Sequence, residues 1–208
     1  MTKSLYHEML DVLINKIIHI KTNSQLYKRF RALCDSGKRY QSVYESTYRF
    51  WDFIMSDLTS YNISELSKLY DEQNSAFGLL KLINIISQNR SWYFENSEQY
   101  ELTDRNFNDF INDLQQEYSS VKNITKELKI IRDTKIAHND KKYMINGNAV
   151  YDNFTWDDFE MLINTASRIC NRISCELYSK KYLMEVDANC DLILLLKYAK
   201  DGMDKMNG

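Results

Sequence analysis

The chain has no proline and only five glycines in 208 residues. Proline deletes a backbone donor and clashes with the preceding helical turn, and glycine costs entropy inside a helix. Both common interruptions of a helix are therefore nearly missing, and an all-α fold is expected on that ground alone. Cysteine is scarce as well. Cys34, Cys170, Cys175 and Cys190 form no Cys-x-x-Cys pair and none sits at zinc-finger spacing from a histidine, so buried free thiols in a reducing compartment are expected. Long apolar runs are absent too. Leu5, Met9, Val12, Leu13, Ile17 and Ile18 are interrupted by Glu8, Asp11 and Lys16, which reads as an amphipathic helix and not as a signal peptide or membrane span. No glycine-rich phosphate loop, internal repeat, low-complexity tract or Ser/His/Asp triad occurs. A net charge of −2 argues against coating of nucleic acid through bulk charge.

What is present is ample apolar material, 44% of residues, enough for a sizeable core in one domain spanning 1–208. Periodicity places helices at 4–20, 24–34, 40–71 with a break near Asn62, 75–88, 104–119, 121–138, 156–180 and 188–200. Thr103 is positioned to cap the helix that starts at Asp104, and Thr155 with Asp158 resembles a capping box. Asn146-Gly147, flanked by Tyr143, Ile145, Val150 and Tyr151, reads as a small hairpin with a type I′ turn near residues 142–152. Two aromatic groups stand out. Tyr40, Tyr44, Tyr48 and Trp51 recur at helical spacing beside Val43, Phe50 and Ile54, which favours core or subunit packing over base stacking. Arg90, Trp92, Tyr93 and Phe94 fall between two helices, where anchoring of a loop competes with stacking on unpaired bases. His7 and His19, on the first helix, have no companion ligands and read as structural or exposed.

The chemistry concentrates in Arg132-Asp133-Thr134-Lys135-Ile136-Ala137-His138. An arginine keeps its charge and offers a planar fork of donors to phosphate oxygens, and a histidine takes and returns protons near neutral pH. Together they suit metal-free cleavage of RNA. The histidine would draw the proton from a ribose 2′-hydroxyl as it attacks phosphorus, the arginine would stabilise the transition-state charge, and a 2′,3′-cyclic phosphate would remain. Val121, Ile124, Leu128 and Ile131 form an apolar stripe that Lys135 and His138 continue, with Arg132 at its margin. A solvated last turn, with basic residues complementing the helix dipole, is the competing structural explanation. From Lys122 to Lys142 the chain carries seven Lys or Arg and three Asp or Glu, so a local positive charge, with Lys135, Lys141 and Lys142 as substrate-binding candidates, sits inside a near-neutral whole. Arg132 and His138 lie about 9 Å apart along a regular helix axis. One helix cannot clamp one phosphate between them, and a two-fold dimer that pairs facing copies is expected.

These residues resemble the Arg-x(4 to 6)-His motif of HEPN domains, and the run Leu128 to Asp140 looks like the AbiU-type abortive-infection branch. The stretch Leu66 to Leu80, with Leu69-Tyr70-Asp71, is similar to a second segment of that group. The resemblance covers about residues 40–178, which it marks as a HEPN-like core, with helices 4–34 and 188–200 as additions. It implies an antiparallel helical bundle, dimerisation that brings two motifs to one cleft, and metal-independent RNA cleavage in active members. It also implies roles: Arg132 for phosphate stabilisation, His138 as acid and base, and Asp133 to orient the site. Some HEPN toxins carry a modifiable tyrosine two residues after the histidine, where this chain has Asp140, so silencing by that route is not expected. The resulting reading is a cytoplasmic homodimeric endoribonuclease of phage defence or of a toxin system. It needs no metal and no cofactor, takes RNA as substrate, does not engage a membrane, and has room for an antitoxin or regulatory partner. A catalytically silent module that binds nucleotide, RNA or protein through the same cleft, and a structural helical dimer without ligand, are the alternatives.

Overall fold

The computed structural model describes residues 1–73, 77–95, 104–137, 154–184 and 189–207. Among them lie nine α-helices, one π-helical turn and no strand. The helices are α1 (Lys3–Cys34), α2 (Gln41–Ser46), α3 (Tyr48–Leu69), α4 (Leu79–Gln88), α5 (Ser91–Phe94), α6 (Asp104–Ser120), α7 (Lys122–Ile131), α8 (Trp156–Tyr178) and α9 (Asn189–Asn207), and the π turn Arg132–Ala137 continues α7. The all-α bundle expected from the composition is therefore what forms. The hairpin expected near 142–152 and the Thr103 cap lie outside the described residues.

The chain divides into two compact units. The first comprises residues 1–17 and 63–184 and carries the motif. Its centre is α8, which packs against α4, α5, α6 and α7. Along α8 the residues Phe159, Leu162, Ile163, Ala166, Ile169, Cys170, Ile173 and Leu177 are buried at steps of three and four, the spacing that keeps one helical face turned inward. A fully buried Leu or Ile of this kind stabilises a fold by about 1.5–3 kcal/mol. From the N-terminal part of α1 come Tyr6, Leu10, Leu13, Ile14 and Ile17, all buried at the same period. Arg168 pairs with Glu117 and Arg172 with Asp113, so residue numbers rise along α8 as they fall along α6 and the two helices run antiparallel. Thr155 forms the expected capping box: its hydroxyl accepts from the Asp158 backbone N–H at 3.1 Å, and the Asp158 carboxylate accepts from the Thr155 N–H at 2.8 Å.

The second unit, residues 18–62 and 185–208, has its own apolar cluster of Phe30, Cys34, Tyr40, Val43, Trp51, Met55, Leu192 and Leu196. The aromatic row thus splits by environment. Tyr40 and Trp51 enter this core, whereas Tyr48 and Phe50 are exposed.

Helix boundaries differ from expectation where a tertiary or local bond intervenes. No break separates 4–20 from 24–34: Thr22 donates to the Ile18 carbonyl inside one continuous α1. Nor does α3 break near Asn62, a buried residue whose amide oxygen accepts from Asn23. The break falls instead at Thr47, where the hydroxyl bonds the Val43 carbonyl, the local competition with the backbone that ends helices. Residues 91–94 are not a loop but the short α5, preceded by Arg90 at its N-cap, with Trp92 and Tyr93 buried and Tyr93 in ring contact with Phe107 and Phe110. Trp92 and Tyr93 thus serve as anchors of this part of the fold. Cys34 and Cys170 are buried as expected, but Cys175 and Cys190 are exposed. For Cys175 the reason is that it projects from the face of α8 opposite the buried residues.

Candidate functional site

The motif arginine sits where α7 changes its hydrogen bonding. The N–H of Arg132 is shared between the carbonyls of Leu128 and Lys129, and the next residues adopt the wider i→i+5 pairing of a π-helix over Arg132–Ala137. Single π turns inside α-helices recur at functional sites because they re-aim side chains at the cost of weaker backbone bonding. Thr134 reinforces the distortion by donating its hydroxyl to the Ile130 carbonyl at 2.7 Å. Up to Ile131 the expected stripe holds in the main, with Val121, Leu128 and Ile131 buried and Ile124 half-buried. Beyond it the regular 100° step no longer applies. The Lys135 backbone lies within this turn, and position 138, the far end of the expected spacing of about 9 Å, lies outside the described residues.

Arg132 is held between two carboxylates. Its Nε donates to Asp133 Oδ1 at 2.8 Å, and one terminal nitrogen lies 2.6 Å from the same oxygen. The other terminal nitrogen faces Asp71 Oδ2 at 3.9 Å. Asp71 follows the end of α3 and is fixed locally: its Oδ1 accepts from the Gln73 N–H at 3.0 Å, an Asx-type turn. The preceding Tyr70 is buried and donates to the Leu162 carbonyl at 2.6 Å, which ties this corner to α8. A further constraint comes from Gly78, the N-cap of α4. A Cβ there would lie 2.7 Å from the Leu69 carbonyl oxygen and 3.0 Å from that of Asp71, so only glycine lets the chain close so tightly under the site.

Arg132 and Asp71 belong to a cleft of about 200 Å³ lined by Ser67, Tyr70, Asp71, Glu72, Lys122, Thr125, Lys126, Leu128, Lys129 and Arg132. One wall is the cationic side of α7, and the other is the acidic corner after α3. Glu72 accepts from the Tyr118 hydroxyl at 3.1 Å. Burial first, then the nearby Glu72 charge, pushes that phenol well above its ordinary range, so Tyr118 is a donor and not a proton acceptor at neutral pH.

Of the residues singled out by sequence, the structure brings Arg132 and Asp133 into contact and sets the Lys135 backbone in the π turn. His138, Lys141 and Lys142 lie outside the described residues. Asp71 and Glu72 carry no role that the sequence alone assigns, although Asp71 falls in the second segment that resembles the AbiU-type group; the lysines of α7 belong to the locally positive stretch 122–142 that the sequence marks as suited to a polyanion. His7 is half-buried with its ring 4.2 Å from that of Tyr178, and His19 is exposed. Among the described residues, no group of three His, Cys, Asp or Glu is placed to hold a metal, and no helix is long and apolar enough to cross a membrane.

Comparison with known proteins returns one family. The HEPN family model described as AbiU2 matches residues 5–184. No curated protein and no solved structure matches the chain.

Proposed function

This chain belongs to the AbiU2 family of HEPN domains, and from that premise we propose that it is a metal-independent endoribonuclease acting in abortive infection or a related toxin system. The observation that supports the reading most is Arg132. It is the arginine of the stretch that resembles the HEPN motif, it stands on a π-helical turn, and it lines a cleft with three lysines. In the proposed reaction His138 takes the proton of a ribose 2′-hydroxyl, the hydroxyl oxygen attacks the adjacent phosphorus, and the 5′-oxygen leaves with a proton returned by an imidazole. Arg132 stabilises the extra negative charge on the phosphorane-like transition state. Asp133 holds the guanidinium fork in place. Lys135, Lys141 and Lys142 bind the substrate backbone, and a two-fold dimer supplies two motifs to one cleft. The protein works in the cytoplasm, with an antitoxin or regulatory partner as its restraint.

One observation favours a second reading, a catalytically silent module that binds nucleotide, RNA or protein. The Arg132 fork already faces two carboxylates, which leaves fewer donors for an incoming phosphate. Arg132→Ala and His138→Ala separate the two. Each should lower RNA cleavage at least about a hundredfold if the roles are right, with the circular dichroism spectrum and melting temperature nearly unchanged. Full activity in either variant would remove the assignment.

A further inference from the structure

The cleft beside Arg132 carries more positive charge than the bond-breaking step requires. Lys122, Lys126 and Lys129 fall at i, i+4 and i+7 on α7, one narrow stripe of a helix, with Arg132 at its edge, and all four line the cleft. From first to last the row extends about 15 Å along the helix axis. The three lysines are exposed, and among the described residues none of them has an ion-pair partner. Lys3, Lys16 and Lys68, in the same unit, are each paired with a glutamate. A merely solvated helix face accounts for exposure, but not for a concave site that the row lines together with a second wall.

That second wall decides the ligand class. Asp71 and Glu72 would repel an acidic peptide, whose carboxylates point in every direction. A nucleic-acid strand is two-sided: phosphates run along one edge, and base edges with exocyclic amino donors along the other. A carboxylate holds several acceptor sites, so Asp71 and Glu72 retain capacity beyond the Gln73 N–H and the Tyr118 hydroxyl they already accept from. Cations facing carboxylates across about 200 Å³ match phosphates facing bases.

We propose that Lys122, Lys126 and Lys129 form a track for the phosphate backbone of single-stranded RNA that leads the strand to Arg132. The identity of the ligand as RNA rests on the endoribonuclease reading. The lysines act as point charges that position without sequence preference.

The test is a binding titration of the full chain with a fluorescent 2′-O-methyl oligoribonucleotide, which offers no 2′-hydroxyl for attack, over a series of salt concentrations. Three phosphate contacts each contribute about 0.7 to the slope of log affinity against log salt for a single strand. A triple variant with Lys122→Gln, Lys126→Gln and Lys129→Gln should therefore show a slope shallower by about 2 and an affinity lower by about a hundredfold at 0.1 M salt. A parallel triple replacement by arginine should restore both, which separates lost charge from lost fold. Because the probe cannot be cleaved, lysine-dependent binding upholds the track even if the wild-type chain cleaves nothing. Absence of binding by the wild-type chain, or a triple glutamine variant within about twofold of it in affinity and slope, overturns the proposal.

Discussion

Asp71 Oδ2 stands 3.9 Å from the guanidinium of Arg132 across the cleft. The two residues come from the two separate stretches that resemble the AbiU-type group, and the fold makes them neighbours. With about a fifth of each side chain exposed, the pair sits in partly screened surroundings, and its net worth in stability is on the order of 1 kcal/mol or less. In the proposed reaction its value lies in orientation. Asp133 grips the guanidinium on one side, and Asp71, locked by its own Asx-type turn, limits rotation on the other.

Asp71→Asn keeps the turn acceptor but removes the charge that faces Arg132. The expected outcome is a fall in kcat for RNA cleavage of about tenfold, with KM little changed and a melting temperature close to that of the parent chain. Steady-state kinetics check it. An unchanged kcat would mean that Asp133 alone orients the arginine.

Features legible in the sequence are those whose partners lie close together along the chain. The Thr155/Asp158 capping box was legible because both partners lie within one turn. The inward face of α8 was legible for a similar reason, since its apolar period is written in consecutive residues. The uninterrupted α3 at Asn62 was not, because its stabilising partner Asn23 is remote in the chain. The π turn was hidden for another reason: one additional residue in a turn leaves the hydrophobic pattern up to Ile131 untouched and alters only the residues beyond it. Within the site, Arg132 and Asp133 could be read from the motif, whereas the placement of Asp71 depends on the close approach of Gly78 to the carbonyls at the end of α3.

Thiol chemistry offers a test of the cores. Cys175 and Cys190 are exposed, and Cys34 and Cys170 are buried. Burial pushes the Cys170 thiol up to about 12, and burial aided by the nearby Asp35 charge pushes that of Cys34 up to about 11. A thiol reagent near pH 8 should modify Cys175 and Cys190 in the native protein and the other two only after unfolding, as peptide mass analysis would register. The raised values also set a pH dependence. Below about 9, the ordinary thiol value, both states keep the proton and the stabilisation is fully present. As pH climbs toward about 12, the unfolded chain ionises while the folded core resists, and stability falls. Urea midpoints should decline over that range, and Cys170→Ala should flatten the decline. Rapid native labelling of Cys170 would contradict the packing of α8.

Assembly is the next consequence of the proposed reaction. A dimer that brings two copies of the motif to one cleft should bury more than about 1,000 Å² in total and persist at micromolar concentration. Light scattering gives the mass, and cross-linking between single cysteines placed beside Arg132 in each copy gives the arrangement. A monomer by the first measurement, or motifs on remote surfaces by the second, would count against cleavage by paired motifs.

The central claim is that this chain cleaves RNA through the substrate's own 2′-hydroxyl. Its most direct test is to incubate the pure protein with RNA in EDTA and to identify the new termini by mass spectrometry. The account predicts 2′,3′-cyclic phosphate and 5′-hydroxyl ends, with no cut at a nucleotide bearing a 2′-deoxy or 2′-O-methyl group. Cleavage that requires magnesium and leaves 5′-phosphates, or intact RNA under every condition, would contradict it.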